Sequence, residues 1–453
     1  MANDAAQLNA KELRAKVKKC MNALTNDPIA WGEEKNKLVQ DSIDASLYVE
    51  HLHGSKDLIE ALADQVDFDQ GGGTYLFTGN RGTGKTTELM RLAERLKEDL
   101  DCEVFYVNIQ DYLNLTMPVE ITDFLISVLG GFSEKIKERY HADPGEIGFF
   151  DRVGTFLQSN VTIEGFTVPA MGAQLKATLQ QDPGFKKKLQ EGMRGHVAQL
   201  VSDAHKFVSQ AVDLVRSNTA PDKKIVLIVD SLEQLRGVGD IKDVAEVFKS
   251  AETLFSGHAD KLRFPPLHLI CTVPPYLSAL AGNLAALYSG GRIFTLPSVH
   301  IYEKRPTDGK EPVQSATGLA LMRDVIGKRI PEWNDFFREE QLFRLAANSG
   351  GDLRDFIRMV RLCISQALYE TSPLPDEVLD DAESALRNDM PLARDDKEWL
   401  KKIQKSHERE LDGLEKLPIF ARLMESKYIL NYRNGDDWYD VHPLLRSSIA
   451  KGG

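Results

Sequence analysis

Residues 74–86 read TYLFTGNRGTGKT. The first six, Thr74–Gly79, are rich in β-branched and aromatic residues and nearly continuous in apolar character, as a strand buried on both faces should be. Gly79–Thr86, GNRGTGKT, has the spacing G-x-x-x-x-G-K-[ST]. Beyond it Leu89, Leu92, Ala93, Leu96 and Leu100 recur at three- and four-residue intervals, which marks a helix packed on a sheet. A strand, a glycine-rich turn and a helix in this order make a phosphate-binding loop. The glycines let successive backbone N–H groups point inward at a phosphate, and the helix N-terminus adds its partial positive charge. The expected cradle is Gly79, Asn80, Arg81, Gly82, Thr83, Gly84, Lys85, Thr86 and Thr87. Within it Lys85 reaches the β- and γ-phosphates of ATP and the Thr86 hydroxyl ligates Mg2+.

Four more strands follow: EVFYVNI (103–109), IVLIVD (225–230), LHLICTV (267–273) and RIFTLPSV (292–299). Strands alternating with helices predict an α/β fold with a five-stranded, mostly parallel sheet. A parallel sheet places strand ends together, so the Asp that closes IVLIVD, Asp230, is the natural second group for the metal. A carboxylate after five apolar residues is costly to bury without a cation. Three residues on, Glu233 is a candidate general base, although a surface carboxylate on the following turn would be spelled the same way.

Around this core the chain divides into an N-terminal helical extension (1–48), the P-loop core (49–312), a helical lid (313–372) and a C-terminal winged helix (373–453). The core carries a helical insertion over about 132–222. Inside the insertion VTIEGFTV (161–168) reads as a small hairpin. After Pro183 an apolar stripe of Leu189, Met193, Val197, Val201, Ala204, Val208, Val212 and Val215 predicts one long helix of about 40 Å, either packed on its own domain or projecting as an arm. The lid helices are 318–329, 339–349 and 353–368, and TSPLPDE (371–377) suggests a boundary. Helical segments at 395–406 and 412–426 lead to a hairpin centred on Asn434-Gly435, a favoured type I′ turn pair.

The chain has 453 residues, 56 Lys+Arg against 68 Asp+Glu and a net charge of −12, which argues against coating nucleic acid or anionic membrane by bulk charge. Cys20, Cys102, Cys271 and Cys363 lie far apart and form no zinc-ligand cluster, so reduced thiols are expected. The polar N-terminus lacks a signal-peptide core and no run reaches a membrane span, so a cytoplasmic protein without membrane partners is expected. His51, His53 and His442 read as structural.

Together, five strands, GxxxxGKT, a hydrophobic strand ending in Asp and a helical lid resemble an AAA+ or STAND-type P-loop ATPase. DSLEQ (230–234) is similar to the NACHT and KAP form of the second motif, except that Gln234 replaces a second acid, which implies slow hydrolysis. The resemblance makes Thr272, at the end of the fourth strand, a first sensor of the γ-phosphate region. SGGDLRDFIR (349–358) looks like the second sensor of initiator-type members, with Arg354 aimed at the phosphates. Arg292 stands where relatives place an arginine finger for the neighbouring subunit. The resemblance implies an oligomerising, Mg-ATP-dependent switch acting on a separate effector or sensor protein, as in bacterial antiviral defence operons. The alternatives are a DNA-binding initiator or transposition regulator, and a scaffold that binds ATP without turnover. Residues 391–453 hold 12 basic and 11 acidic residues, and that near balance favours a latch over a DNA reader.

Overall fold

The computed structural model describes residues 2–31, 43–54, 57–145, 147–160, 172–236, 241–303, 305, 311–409, 417–434 and 436–450. Two short strands, β1 (Ile29–Ala30) and β2 (Ile43–Asp44), pair in parallel near the N-terminus, where the sequence pattern suggests only helices. The central sheet consists of β3 (Gly73–Gly79), β4 (Glu103–Asn108), β5 (Ile225–Asp230), β6 (His268–Thr272) and β7 (Ile293–Leu296), in the spatial order β4-β5-β6-β3-β7. It is the expected five-stranded parallel sheet of an α/β fold. Asn108 faces Asp230 across β4 and β5, Val229 faces Cys271 across β5 and β6, and Phe77 faces Thr272 across β3 and β6. All six residues of β5 are buried, which is why its spelling carries no polar alternation. The carboxyl ends of β3, β5 and β6 share one edge of the sheet, the edge at which parallel α/β sheets bind ligands.

By its internal contacts the chain forms two compact units. One comprises Leu58–Thr78 and Arg91–Thr295 and contains the sheet; the other comprises Met1–Asp57, Gly79–Met90 and Leu296–Gly453.

In the sheet unit the α-helices described between β4 and β5 are Ile121–Tyr140, Phe149–Asn160, Gly172–Gln181, Pro183–Met193 and Val197–Asn218. The single long helix expected after Pro183 is therefore two, separated by a turn at Arg194-Gly195-His196. Glycine in a helix interior costs about 1 kcal/mol relative to alanine, and the chain turns there. Leu200, Phe207 and Ala211 join Ala204, Val208, Val212 and Val215 on the buried face, whereas Val197 and Val201 are half-buried. That face packs against Ile121–Tyr140, so the stripe is a packing surface and not a projecting arm. The hairpin expected at 161–168 lies outside the described residues.

In the other unit one apolar cluster joins Val17, Cys20 and Leu24 of the N-terminal segment to Phe356, Val360 and Ile364 of the helix Leu353–Gln366. Helix Asp376–Asn388, which the sequence pattern does not mark, adds Val378, Leu379, Ala382 and Leu386 to the same cluster. Toward the C-terminus come helices Arg394–Ser406 and Leu417–Glu425, then an antiparallel hairpin of β8 (Ile429–Asn434) and β9 (Asp436–Val441). Tyr432 and Trp438 face each other across it and stack at 4.6 Å. Gly435 of the expected turn is outside the described residues.

All four cysteines are unpaired and buried; burial pushes the Cys102 thiol up to about 11 and Cys363 to about 12, which leaves them poor nucleophiles. Among the described residues no helix is long and apolar enough to cross a membrane.

Candidate functional site

The glycine-rich loop leaves β3 at Gly79 and enters the helix Lys85–Glu98. Gly82 and Gly84 have φ of +91° and +92°, a backbone that side-chain-bearing residues rarely adopt, so the chain curls sharply at both. Lys85 is buried, and its Nζ donates to the carbonyls of Gly79 at 3.0 Å and Asn80 at 2.9 Å. The Asn80 carbonyl also accepts from Thr83 Oγ1 at 2.9 Å, so one oxygen holds the loop closed from two sides. Asn80 is 2% exposed, yet neither its Oδ1 nor its Nδ2 has a hydrogen-bond partner among the described residues. An orphaned buried polar group costs about 1–3 kcal/mol, so this amide fits a place where a polar ligand completes the site. Arg81 is exposed and Thr86 half-buried; Thr87 Oγ1 accepts from Ile29 N at 3.1 Å, so that hydroxyl anchors the N-terminal segment. One turn into the helix, buried Glu88 accepts from Tyr48 Oη at 2.9 Å, a second tie to the same segment.

The start of the helix Leu353–Gln366 meets this loop. Asp352 caps the helix Leu353–Gln366 by accepting from Asp355 N at 2.9 Å, and its carboxylate lies against the α-carbon of Gly82. Leu353 lies beside Gly84. Arg354, next in the chain, is exposed and has no ion pair or hydrogen bond among the described residues, which leaves its guanidinium available to an anion. Behind Asp352, Lys427 Nζ sits 2.9 Å from Asp352 Oδ2 and 3.0 Å from Asp355 Oδ2, and His442 Nε2 is 3.7 Å from Asp355 Oδ2. Burial raises the Asp352 carboxyl above the ordinary range. For Asp355 burial acts the same way, but His442 and Lys427 outweigh it and hold that carboxyl well below the usual carboxylate range. Lys427 holds φ at +59°, a strained conformation for a lysine, at the end of helix Leu417–Glu425. The position would suit glycine; lysine supplies the ammonium that two buried carboxylates need.

In the sheet unit Asp230 closes β5 and is 1% exposed. Tyr106 Oη donates to its Oδ2 at 2.6 Å, and Ser231 N donates to its Oδ1 at 2.6 Å. Ser231 is itself left-handed, with φ +73°, so the chain bends sharply just after the carboxylate. Glu233 is half-buried on the next turn, Leu232–Gln234. Thr272, fully buried at the end of β6, accepts from Leu232 N at 2.9 Å, so its hydroxyl braces the turn that follows Asp230. Arg292 is exposed, with its guanidinium carbon 4.4 Å from the centre of the Phe294 ring.

No protein-family model and no curated protein matches the chain. Among solved structures, the Orc2 protein of Aeropyrum pernix in ADPNP and ADP complexes is 11% identical over 95% of this chain and 97% of its own, with a TM-score of 0.37. Cdc6p of Pyrobaculum aerophilum is 13% identical over 90% and 97%, at 0.35, and a Walker-type ATPase of Pyrococcus abyssi is 10% identical over 88% and 96%, at 0.36. At identities and TM-scores this low, function has to be argued from the site's own residues.

Of the residues that hold these groups, two had a signal in the sequence. Asp352 stands before a helix, where Asp is a preferred cap. Tyr106 places a hydroxyl inside a buried strand, where it must find a partner. Lys427 had no signal beyond its charge, because its partners are more than seventy positions away.

Proposed function

We propose that this protein is a Mg-ATP-binding ATPase in which the C-terminal region responds to the state of the phosphate-binding loop. The observation that carries the reading is the loop Gly79–Thr86 itself: a strand-to-helix turn with two glycines at positive φ, a buried lysine and an orphaned buried amide. Lys85, now resting on its own loop carbonyls, exchanges them for the β- and γ-phosphate oxygens. Thr86 and Asp230 are assigned to the metal; this is a sparse protein ligand set, as suits Mg2+, which keeps water and phosphate oxygens as its other ligands. When bound, the ion neutralises charge on the β- and γ-oxygens. Glu233 is assigned to accept the proton of the attacking water, Arg354 and Arg292 to stabilise negative charge on the phosphates, and Thr272, whose hydroxyl also braces the Asp230 turn, to sense the γ-phosphate region. The division into extension, core, lid and winged helix is part of the same proposal, as are a homo-oligomeric state and a separate effector or sensor protein, which rest on the resemblance alone.

The chain Gly82, Asp352, Lys427, with Asp355 and His442 beside it, supports a latch role for the C-terminal region. An initiator-like ATPase shares all of the nucleotide chemistry and adds DNA, which a gel-shift titration across salt, with and without ATP, separates. The nucleotide reading is tested with Lys85→Ala and a fluorescent ATP analogue; unchanged affinity refutes the P-loop assignment.

A further inference from the structure

Tyr106 stands in the middle of β4, between Phe105 and Val107. The strand register puts it opposite Ile228 on β5, so Asp230 lies two residues further along on the same face, a diagonal that a long side chain spans. The phenol does span it, donating to Asp230 Oδ2 at 2.6 Å, with the two residues 4% and 1% exposed. Phenylalanine would fill the same space with no polar atom to satisfy, so the hydroxyl is the informative part of this residue. On the other oxygen Ser231 N occupies one position, also at 2.6 Å. Both oxygens of Asp230 therefore accept a hydrogen bond, from donors that approach from two directions.

We propose that Tyr106 is a positioning residue whose hydroxyl holds the Asp230 carboxylate in the orientation that serves the divalent cation accompanying ATP; the proposal rests on the ATPase reading above. Two donors from two directions prevent rotation of the carboxylate about its Cβ–Cγ bond. A neutral phenol does this without placing a positive charge beside a cation, as lysine or arginine would. A tyrosine hydroxyl, with an ordinary value of about 10, is protonated throughout the physiological range and so can donate. Partners that orient a metal-serving carboxylate are worth about 10–100-fold in metal affinity or activity.

The test uses the full chain with Tyr106→Phe, titrating Mg2+ against binding of a fluorescent ATP analogue and, separately, against turnover. The expected result is a rise of about tenfold or more in the Mg2+ concentration for half-saturation, with nucleotide affinity in EDTA within about twofold of wild type. In an Asp230→Asn background the same substitution should have no further effect on the Mg2+ titration. A folded Tyr106→Phe protein with an unchanged Mg2+ midpoint overturns the proposal, even if its melting temperature falls, because the bond is then only structural. An equal Mg2+ shift in the Asp230→Asn background overturns it too, since Tyr106 would not be acting through Asp230. Wild-type protein that binds no nucleotide, with or without Mg2+, overturns the ATPase reading itself, a result distinct from both.

Discussion

Replacing Gly82 by alanine challenges the glycine-rich loop in two ways, and replacing Gly84 challenges it in only one. Both glycines have φ near +90°. An added Cβ in such a conformation costs on the order of 1–2 kcal/mol from backbone strain alone. At Gly84 nothing more is added, because the nearest atom to the new methyl is Leu353 Cδ1 at 3.6 Å, an ordinary contact. At Gly82 the methyl would lie 2.7 Å from Asp352 Cγ. Asp352 cannot swing aside freely, being held by Asp355 N at 2.9 Å and Lys427 Nζ at 2.9 Å. Displacing it gives up a helix cap worth about 1 kcal/mol and weakens a buried ion pair, adding roughly 2 kcal/mol in all. Gly82→Ala should therefore destabilise by about 3–4 kcal/mol and Gly84→Ala by about 1–2 kcal/mol in urea unfolding. Asp352→Ala provides the control: in its background the two glycine substitutions should cost nearly the same, a coupling of about 2 kcal/mol. Equal penalties for Gly82→Ala and Gly84→Ala in the wild-type background would show that Asp352 does not press on the loop.

Three further outcomes are expected. Glu233→Gln should retain bound ATP at near-normal affinity while turnover falls about 10²-fold or more, measured by single-turnover hydrolysis; normal turnover moves the base elsewhere. Arg292→Ala should lower activity only at protein concentrations where the wild type assembles, and wild-type rates at every concentration would remove the finger role. His268, stacked on Tyr75 and pushed down to about 4 by burial, should make the fold pH-sensitive. Because its folded value lies below its unfolded one, its contribution is fully present above about pH 6.5 and is lost as pH falls toward about 4, with an upper magnitude of about 3 kcal/mol. His268→Phe keeps the stacking and should flatten that part of the stability curve, as followed by thermal melts from pH 7 to pH 4; an unaltered curve refutes the assignment.

Strands β3 to β7 were legible because each is a short buried run whose apolar character is a local property, and the loop because its glycines answer to local backbone needs. The double helix break at Arg194–His196 was misread although Gly195 stood in the pattern: the apolar stripe continues across the turn because both helices bury a face in the same unit. Helix Asp376–Asn388 was missed for a related reason. Pro373 and Pro375 read as a boundary, whereas Pro375 is the residue before a helix start and the cluster holding Cys363 and Ile364 continues through Leu379.

From the sequence alone follow the fold class, the glycine-rich loop Gly79–Thr86 as a candidate phosphate site and the candidacy of Asp230, since each depends on residues within a few positions of one another. Only the tertiary structure decides what holds those groups in place. Tyr106 reaches Asp230 across 124 positions, and Lys427 reaches Asp355 across 72. Such pairings are set by strand register and helix packing, which bring distant residues together without leaving any spacing in the chain to read.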